Sequence, residues 1–320
     1  MPLGSRKPQR FIATTTTSSS SLPTIIRPND NEVKSGKLDA RNLEKAIRGI
    51  HEDGLIVISN VIPHDDLDRL NKKMTIDAKY LMSLGDKGPF NYNKGNLQQD
   101  PPPIRKHFSR SIFLNPIAIQ VTSNVLGPKP LWTFCSGNTA IRGAEPQRQP
   151  VHSDADFSHP NHPFALVVNV PLITFTPENG STEVWLGTHT PEFSGLHAQE
   201  GMHGDRASGR IREHLLEKRK QARPPSQPII EKGSVVIRDL RLWHAGMPNH
   251  TDDIRVMLAM IHFAPWYRNR MRLELAQDIE PLLAQETNLG TMVDYISRED
   301  AMDRYLARAY GNAYDFNQVD

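Results

Sequence analysis

The chain has a single cysteine, Cys135, in 320 residues, so it can build neither an internal disulfide nor a cysteine-based zinc site. It also lacks any apolar run near the roughly 18 residues that a helical membrane span requires. Charge of one sign is never in large excess: 38 basic and 36 acidic side chains leave +2, far from the basic footprint of a nucleic-acid binder. Phosphate-loop, dinucleotide-fold and nucleophile-elbow glycine motifs are missing too, which leaves nucleotide-driven and serine-hydrolase chemistry without support. What is plentiful is proline (25) and glycine (20), the mark of a loop-rich globular protein. At this length one large core with elaborations is expected rather than two domains.

The first 29 residues carry Arg6, Lys7, Arg10 and Arg27, no acid, and a polar run from Thr14 to Ser21. Such composition cannot bury enough apolar area to offset its ordering entropy, and a disordered tail is expected over residues 1–35. A single domain then fills 36–320. The acid-free start leaves organelle targeting open but has no secretory apolar core. The cytoplasm is the expected compartment.

Leu43, Ile47 and Ile50 fall at helical spacing between a candidate cap, Asp39, and Gly54, and the apolar run Leu55 to Ile58 suits a buried strand. Leu67, Leu70, Met74 and Leu81 mark a second helix after Pro63, and a third lies between Pro116 and Gly127. Beyond Gly127 short β-rich runs take over: Leu131 to Cys135, Thr139 to Arg142, Phe164 to Val170, Thr182 to Leu186, Ser234 to Ile237 and Arg255 to Phe263. These predict a mainly β fold with flanking helices and a jelly-roll core over about 128–265. Residues 190–232 interrupt it as a lid-like insertion with a helix near Ile211 to Ala222, and helices are expected over about 270–312, notably Met292 to Tyr310.

Thirteen histidines are the richest chemical resource. His-x-Asp sets two metal ligands on one side of an extended backbone, and it occurs at His51/Asp53, His64/Asp66, His152/Asp154, His203/Asp205 and His250/Asp252. His51 ends one expected helix and His64 starts another, where an acid caps or is solvated. His203 precedes His244 by only 41 residues, mostly helical, and His250 has only His262 after it. His152 and Asp154 remain, followed by strands and, 92 residues on, by His244; Arg255 comes eleven residues later, and these two are expected on adjoining strands facing one cavity.

Two neutral imidazoles and a carboxylate on one face of Fe(II) leave three coordination positions open, enough for the keto acid end of 2-oxoglutarate and for dioxygen. The distal carboxylate of 2-oxoglutarate needs a fixed cationic fork, which Arg255 would supply where lysine would lose the paired geometry. At this constellation the sequence resembles the phytanoyl-CoA dioxygenase family of Fe(II)- and 2-oxoglutarate-dependent oxygenases. Its Gln-x-x-His-x-Asp pattern stands as Gln149-Pro-Val-His152-Ser-Asp154, its Glu-Asn-Gly stretch as Glu178-Asn179-Gly180, and its Gly-Thr-His as Gly187-Thr188-His189. The resemblance extends from about Asp53 to Phe263.

The resemblance implies a double-stranded β-helix, iron on His152, Asp154 and His244, and 2-oxoglutarate on Arg255 with Gln149 nearby and Thr182 lining the cavity. Gln147 is the alternative to Gln149. The same resemblance implies hydroxylation of a small molecule, such as a natural-product intermediate, lipid or acyl thioester, with desaturation, epoxidation or rearrangement open from the same start. Asp154 disfavours halogenation, which needs that ligand position free. A non-catalytic jelly-roll binder and an oxygenase of protein side chains are the alternatives, and homo-oligomerisation is open. Trp243 reads equally as cavity wall or core, and Cys135 as a small core residue. The seven basic residues within Arg206 to Arg223 read as a solvated face, with recognition of an anionic substrate as the sharper alternative.

Overall fold

The computed structural model describes residues 20–143, 147–203, 206–307, 315, 316 and 318. Local sequence signals set the helix ends. Asn29 opens α1 (Asp30–Ser35) through a reciprocal cap with Glu32. Asp39 accepts the Asn42 N–H at 2.8 Å to open α2 (Ala40–Asp53), and Gly54 at φ 74 closes it. After Pro63 comes α3 (His64–Ser83), which buries Leu67, Leu70, Met74 and Leu81. Next are α4 (Arg110–Phe113), α5 (Pro116–Leu126), capped by Asn115, and α6 (Glu213–Ala222). Two short helices, α7 (Glu280–Leu283) and α8 (Arg298–Arg304), lie near the C-terminus.

The strands in chain order are β1 Thr24–Ile26, β2 Leu55–Ile58, β3 Asn96–Gln99, β4 Leu131–Ala140, β5 Ala165–Pro171, β6 Glu183–Val184, β7 Met202–His203, β8 Arg206–Ala207, β9 Val235–Asp239, β10 His244–Ala245, β11 Arg255–Phe263, β12 Leu273–Ala276, β13 Gly290–Thr291 and β14 Val293–Ile296. In space the large sheet runs β1-β2-β9-β5-β11-β4-β13, with β3 also on β4. Facing it, β10 pairs antiparallel with β6, and single bridges from His152 to His244 and Arg210, and from Val184 to Ser226, extend this second layer. Two opposed layers with helices outside are the double-stranded β-helix expected.

Side chains alternate across the large sheet as the pleat requires. Ile237, Val168, Leu258 and Ile56 face the helices and pack with Ile50, Leu70 and Val121 in the main core. Their neighbours Val236, Arg238, Asn169, Met257 and Leu55 face inward and line a cavity between the layers. The 190–232 segment covers the outer side of the second layer, where Phe193, Ala198, Ile211 and Leu216 pack with Val151, Trp185 and Trp243.

Four expectations need correction. The tail expected over 1–35 gives way to β1 and α1: Thr24-Ile25-Ile26 pairs parallel with β2 and buries Ile26 completely, a three-residue β-branched run that average composition conceals. Residues 1–19 lie outside the described residues. Leu131 to Cys135 and Thr139 to Arg142 are largely one strand, β4, continuous to Ala140. The helix expected over Met292 to Tyr310 is instead β14 followed by α8, because Val293 and Tyr295 alternate onto the main core and Ser297 then caps a new helix. Residues 308–314 of that span lie outside the described residues. Finally, His244 and Arg255 are not on adjoining strands: β10 belongs to the second layer and β11 to the large sheet.

Two features of the fold give measurable consequences. Gly180 sits at φ 78, and a Cβ there would lie 2.5 Å from the Met247 carbonyl oxygen. The loop it touches follows His244, so Gly180→Ala should cost about 2–3 kcal/mol and lower Tm by roughly 3–5 °C, read by calorimetry. His262 is buried, its Nδ1 3.0 Å from the Thr122 hydroxyl and its Nε2 without a partner among the described residues. Burial lowers its pKa to about 3, so below the ordinary value of roughly 6.5 the unfolded chain takes up this proton first. Stability therefore falls as pH drops through that window. At about 1.36 kcal/mol per unit, His262 should account for about 2 kcal/mol of the loss between pH 7 and 5. Urea unfolding of His262→Leu should show a loss smaller by that amount, and equal losses would assign acid lability elsewhere.

Candidate metal centre

The centre begins with a backbone pairing. His152 and His244 exchange main-chain hydrogen bonds at 2.9 and 3.0 Å, so they are directly opposed and their side chains share one face. Their ring centroids lie 4.4 Å apart. Each Nδ1 is turned to a carbonyl two residues back, Pro150 at 2.9 Å and Leu242 at 3.1 Å. With the proton on Nδ1, both Nε2 atoms are left as lone-pair donors toward a common centre. Asp154, two residues beyond His152, brings Oδ1 to 3.8 Å from the His152 Nε2 and Oδ2 to 3.8 Å from the His244 Nε2.

The three ligand atoms all lie within 4.8 Å of one another, and among the described residues this is the group able to hold a metal ion. The remaining His-x-Asp pairs do not assemble such a group, while Asp205 lies outside the described residues. Burial opposes charge on Asp154, but the Arg238 guanidinium, through its charge and its hydrogen bond, outweighs it and holds the carboxyl well below the usual range. Burial lowers the pKa of His152 and, with Arg238 adding to it, takes His244 well below the ordinary value. Both imidazoles are thus kept neutral, the form that ligates.

The ligands open on a cavity of about 120 Å³ between the layers. Apolar side chains from both layers, including Leu55, Phe134, Val184, Ile230 and Met257, form most of its wall, with Asn138, Asn169 and Gln98 as neutral polar groups. Thr182 and Gln149 line it. Gln149 is nonetheless a brace: its Oε1 accepts the Gly246 N–H at 2.8 Å and its own N–H reaches the Gly246 carbonyl. A Cβ at Gly246 would lie 2.5 Å from that Oε1, so a larger residue there would displace the Gln149 side chain from this hydrogen bond.

Arg255 is completely buried, and none of its three side-chain nitrogens has a partner among the described residues. Its guanidinium lies 4.7 Å from the centroid of the Phe175 ring, and through that ring it meets the cavity, which Phe175 lines. Burial lowers its pKa to about 10, so it stays cationic at neutral pH. A buried guanidinium without an anion is costly, and a bound carboxylate would relieve that cost. This orphaned fork is what a site for the distal carboxylate of 2-oxoglutarate requires.

Other residues sort clearly. Trp243 is core: it is fully buried, its Nε1–H donates to the Phe193 carbonyl at 3.0 Å and its ring packs on Trp185. His189 is structural, with Nε2 3.2 Å from the His51 carbonyl oxygen. Three of the basic residues in the 206–223 stretch are paired locally: Arg223 with Asp53, Lys218 with Glu192 and Lys220 with Glu217. Among the described residues of the 190–232 segment, only Pro228 and Ile230 line the cavity. Glu178-Asn179-Gly180 is a turn, held by Asn179 between Thr174 and Thr176.

Two residues of the site escaped the sequence reading. Arg238 donates to the Asp154 Oδ2 from inside the cavity. Its signal was there to read, a cation in the otherwise apolar run Val235-Val236-Ile237. Tyr92 sets its ring 5.1 Å from that of His152, on a backbone at φ 65 that bulky residues rarely adopt. A loop tyrosine carries no comparable signal.

The phytanoyl-CoA dioxygenase family model matches residues 50–257. Among solved structures, the chain is similar to EctD from S. alaskensis in its apoform, at 17% identity over 85% of this chain and 92% of that one, TM-score 0.52. It is likewise similar to the epimerase SnoN, solved with Fe3+, alpha-ketoglutarate and nogalamycin RO, at 15% identity over 70% and 84% of the two chains, TM-score 0.50. These likenesses show a shared fold. A match over more than half of the chain that contains His152, Asp154, His244 and Arg255 goes further: the protein belongs to the phytanoyl-CoA dioxygenase family and is a 2-oxoglutarate-dependent dioxygenase.

Proposed function

We propose that the chain hydroxylates a small, largely apolar organic molecule, with Fe(II) on His152, Asp154 and His244 and the distal carboxylate of 2-oxoglutarate on Arg255. The observation that carries this reading is one cavity with the three convergent ligand atoms in its wall and an unpaired buried guanidinium reaching it through Phe175. When bound, iron and 2-oxoglutarate supply the oxidising power that converts a C–H bond to an alcohol, with dioxygen as cosubstrate.

The chain's own residues supply position and exclusion. The Pro150 and Leu242 carbonyls lock the two imidazoles so that both Nε2 atoms aim at one point. Gln149 ties the Gly246 backbone to the strand carrying His152, which fixes the spacing of the ligand pair. Arg255 sets the direction of the cosubstrate through its fork, and Thr182 offers a hydroxyl to the same cavity. The apolar walls keep water from the reacting carbon and favour a substrate with little polar surface. A non-catalytic binder would have no use for a costly unpaired guanidinium beside a metal site.

Removing a ligand and removing the clamp should have separable effects. Asp154→Ala should weaken Fe(II) binding by more than about 100-fold and abolish the visible charge-transfer band of the anaerobic iron and 2-oxoglutarate complex. An unchanged band would overturn the metal assignment. Arg255→Leu should keep the metal and raise the Kd for 2-oxoglutarate by about two orders of magnitude, near 3 kcal/mol. Arg255→Lys should recover only part of that loss, and calorimetry on Mn(II)-loaded protein reads both. Wild-type 2-oxoglutarate affinity in Arg255→Leu would exclude it as the clamp.

A further inference from the structure

Arg238 is the charged group in the cavity that neither the metal nor 2-oxoglutarate accounts for. It lies on β9, whose side chains alternate between the helical core and the cavity, and it falls on the cavity side with Val236. Its residue exposure is only 7%. Nη2 is engaged with Asp154 Oδ2, but Nη1 is buried with no partner among the described residues. A buried guanidinium nitrogen without an acceptor is costly, so the site is incomplete as it stands.

The charge balance points the same way. Of the residues lining the cavity, Asp154 is the acid and Arg238 the permanent cation, while Arg255 adds a second cation behind Phe175. Fe(II) and the 2-oxoglutarate dianion cancel, which leaves the loaded pocket with one uncompensated positive charge. In apolar surroundings such a charge calls for an anion. Among the described residues no second acid lines the cavity to supply it. The unpaired Ser136 hydroxyl is a further donor in the same wall.

We propose that Arg238 is a substrate-recognition residue whose free Nη1 takes the carboxylate of a monoanionic substrate, placing that acid beside the metal and its apolar body against Phe134, Ile230 and Met257. The inference rests on the oxygenase reading and adds a substrate class to it: small organic acids with an apolar skeleton. Because Nη2 stays on Asp154, the acid is tied to the metal centre through a single rigid guanidinium, which fixes the register of the chain to be oxidised.

The test uses wild-type protein loaded with Mn(II) and saturating 2-oxoglutarate, which occupies Arg255 and prevents turnover. Calorimetric titrations compare cinnamate with cinnamamide and hexanoate with hexanamide. Each acid should bind at least about tenfold tighter than its amide. The ratio should collapse to about one in Arg238→Gln and persist in part in Arg238→Lys, which keeps the charge without the fork. Acid and amide meet the same metal and cosubstrate occupancy in each protein, so their ratio is insensitive to any weakening of the metal site. Acids that bind no better than amides to the wild-type protein, or not at all, would reduce Arg238 to a brace for Asp154 and overturn the proposal whatever the variants do. A wild-type protein that fails to take up 2-oxoglutarate would overturn the oxygenase reading together with this inference, whereas uptake without acid preference overturns this inference alone.

Discussion

Two main-chain hydrogen bonds between His152 and His244 hold the centre together. In a hydrogen-bonded antiparallel pair the two side chains rise from the same face, so this pairing converts ligands 92 positions apart into a rigid dinitrogen clamp. Asp154, two residues on at a bend in the chain, brings one carboxylate oxygen toward each imidazole. The neighbouring contacts serve to keep this pair in register: Gln149 bonded to Gly246 on one side, the Ser153 N–H on the Gly209 carbonyl on the other, and Gly180 pressed against the loop after His244. Loss of register by one residue would turn every ligand away from the cavity.

Charge inside an apolar interior is the second constraint. Three guanidinium groups lie near the cavity, and the fold treats each differently. Arg241 is fully satisfied, forked on Asp239 at 2.8 Å through both Nε and Nη2, and it stiffens the turn between the strand of Arg238 and that of His244. Arg238 is half satisfied by Asp154, and Arg255 has no partner among the described residues. Unmet buried donors are tolerated where a ligand completes them, and among these three guanidinium groups they belong to Arg238 and Arg255 and not to Arg241 in the turn. That gradient from complete to empty separates structural from ligand-directed cations better than burial does, since all three are buried.

Much of this was legible in the residues. The helix from Asp39 to Gly54 could be read because cap, apolar spacing and terminal glycine agreed, and the same agreement held for the ligand set, where order and spacing in a strand-rich region excluded four other His-x-Asp pairs. The failures have a common cause in elements whose signal is shorter than the window used to read it. β1 has three residues inside a polar stretch, and β14 has four, ending at Ser297 where a helix begins, so helical composition downstream masked its alternation. The placement of Arg255 failed for another reason. Nothing local reveals that the loop from Gly246 to Ile254 crosses from one layer to the other, because that crossing depends on Arg255 pairing with Ala140 more than a hundred residues earlier.

The same crossing explains why this fold can hold a metal, a diacid and a substrate in one small space. The metal ligands on the second layer and Arg255 at the start of β11 are joined by a short loop but belong to different sheets, so under the proposed function the two ends of 2-oxoglutarate would be held by different sheets. β9 then runs antiparallel to β5 within the large sheet and delivers Arg238 to Asp154 on the metal side of the gap, while Arg255 at the start of β11 stacks on Phe175. An acid held by Arg238 and a diacid held by Arg255 would approach the metal from different strands and not compete for one guanidinium. Discrimination between substrate and cosubstrate, both carboxylates under this reading, would therefore come from which strand supplies the fork and not from charge.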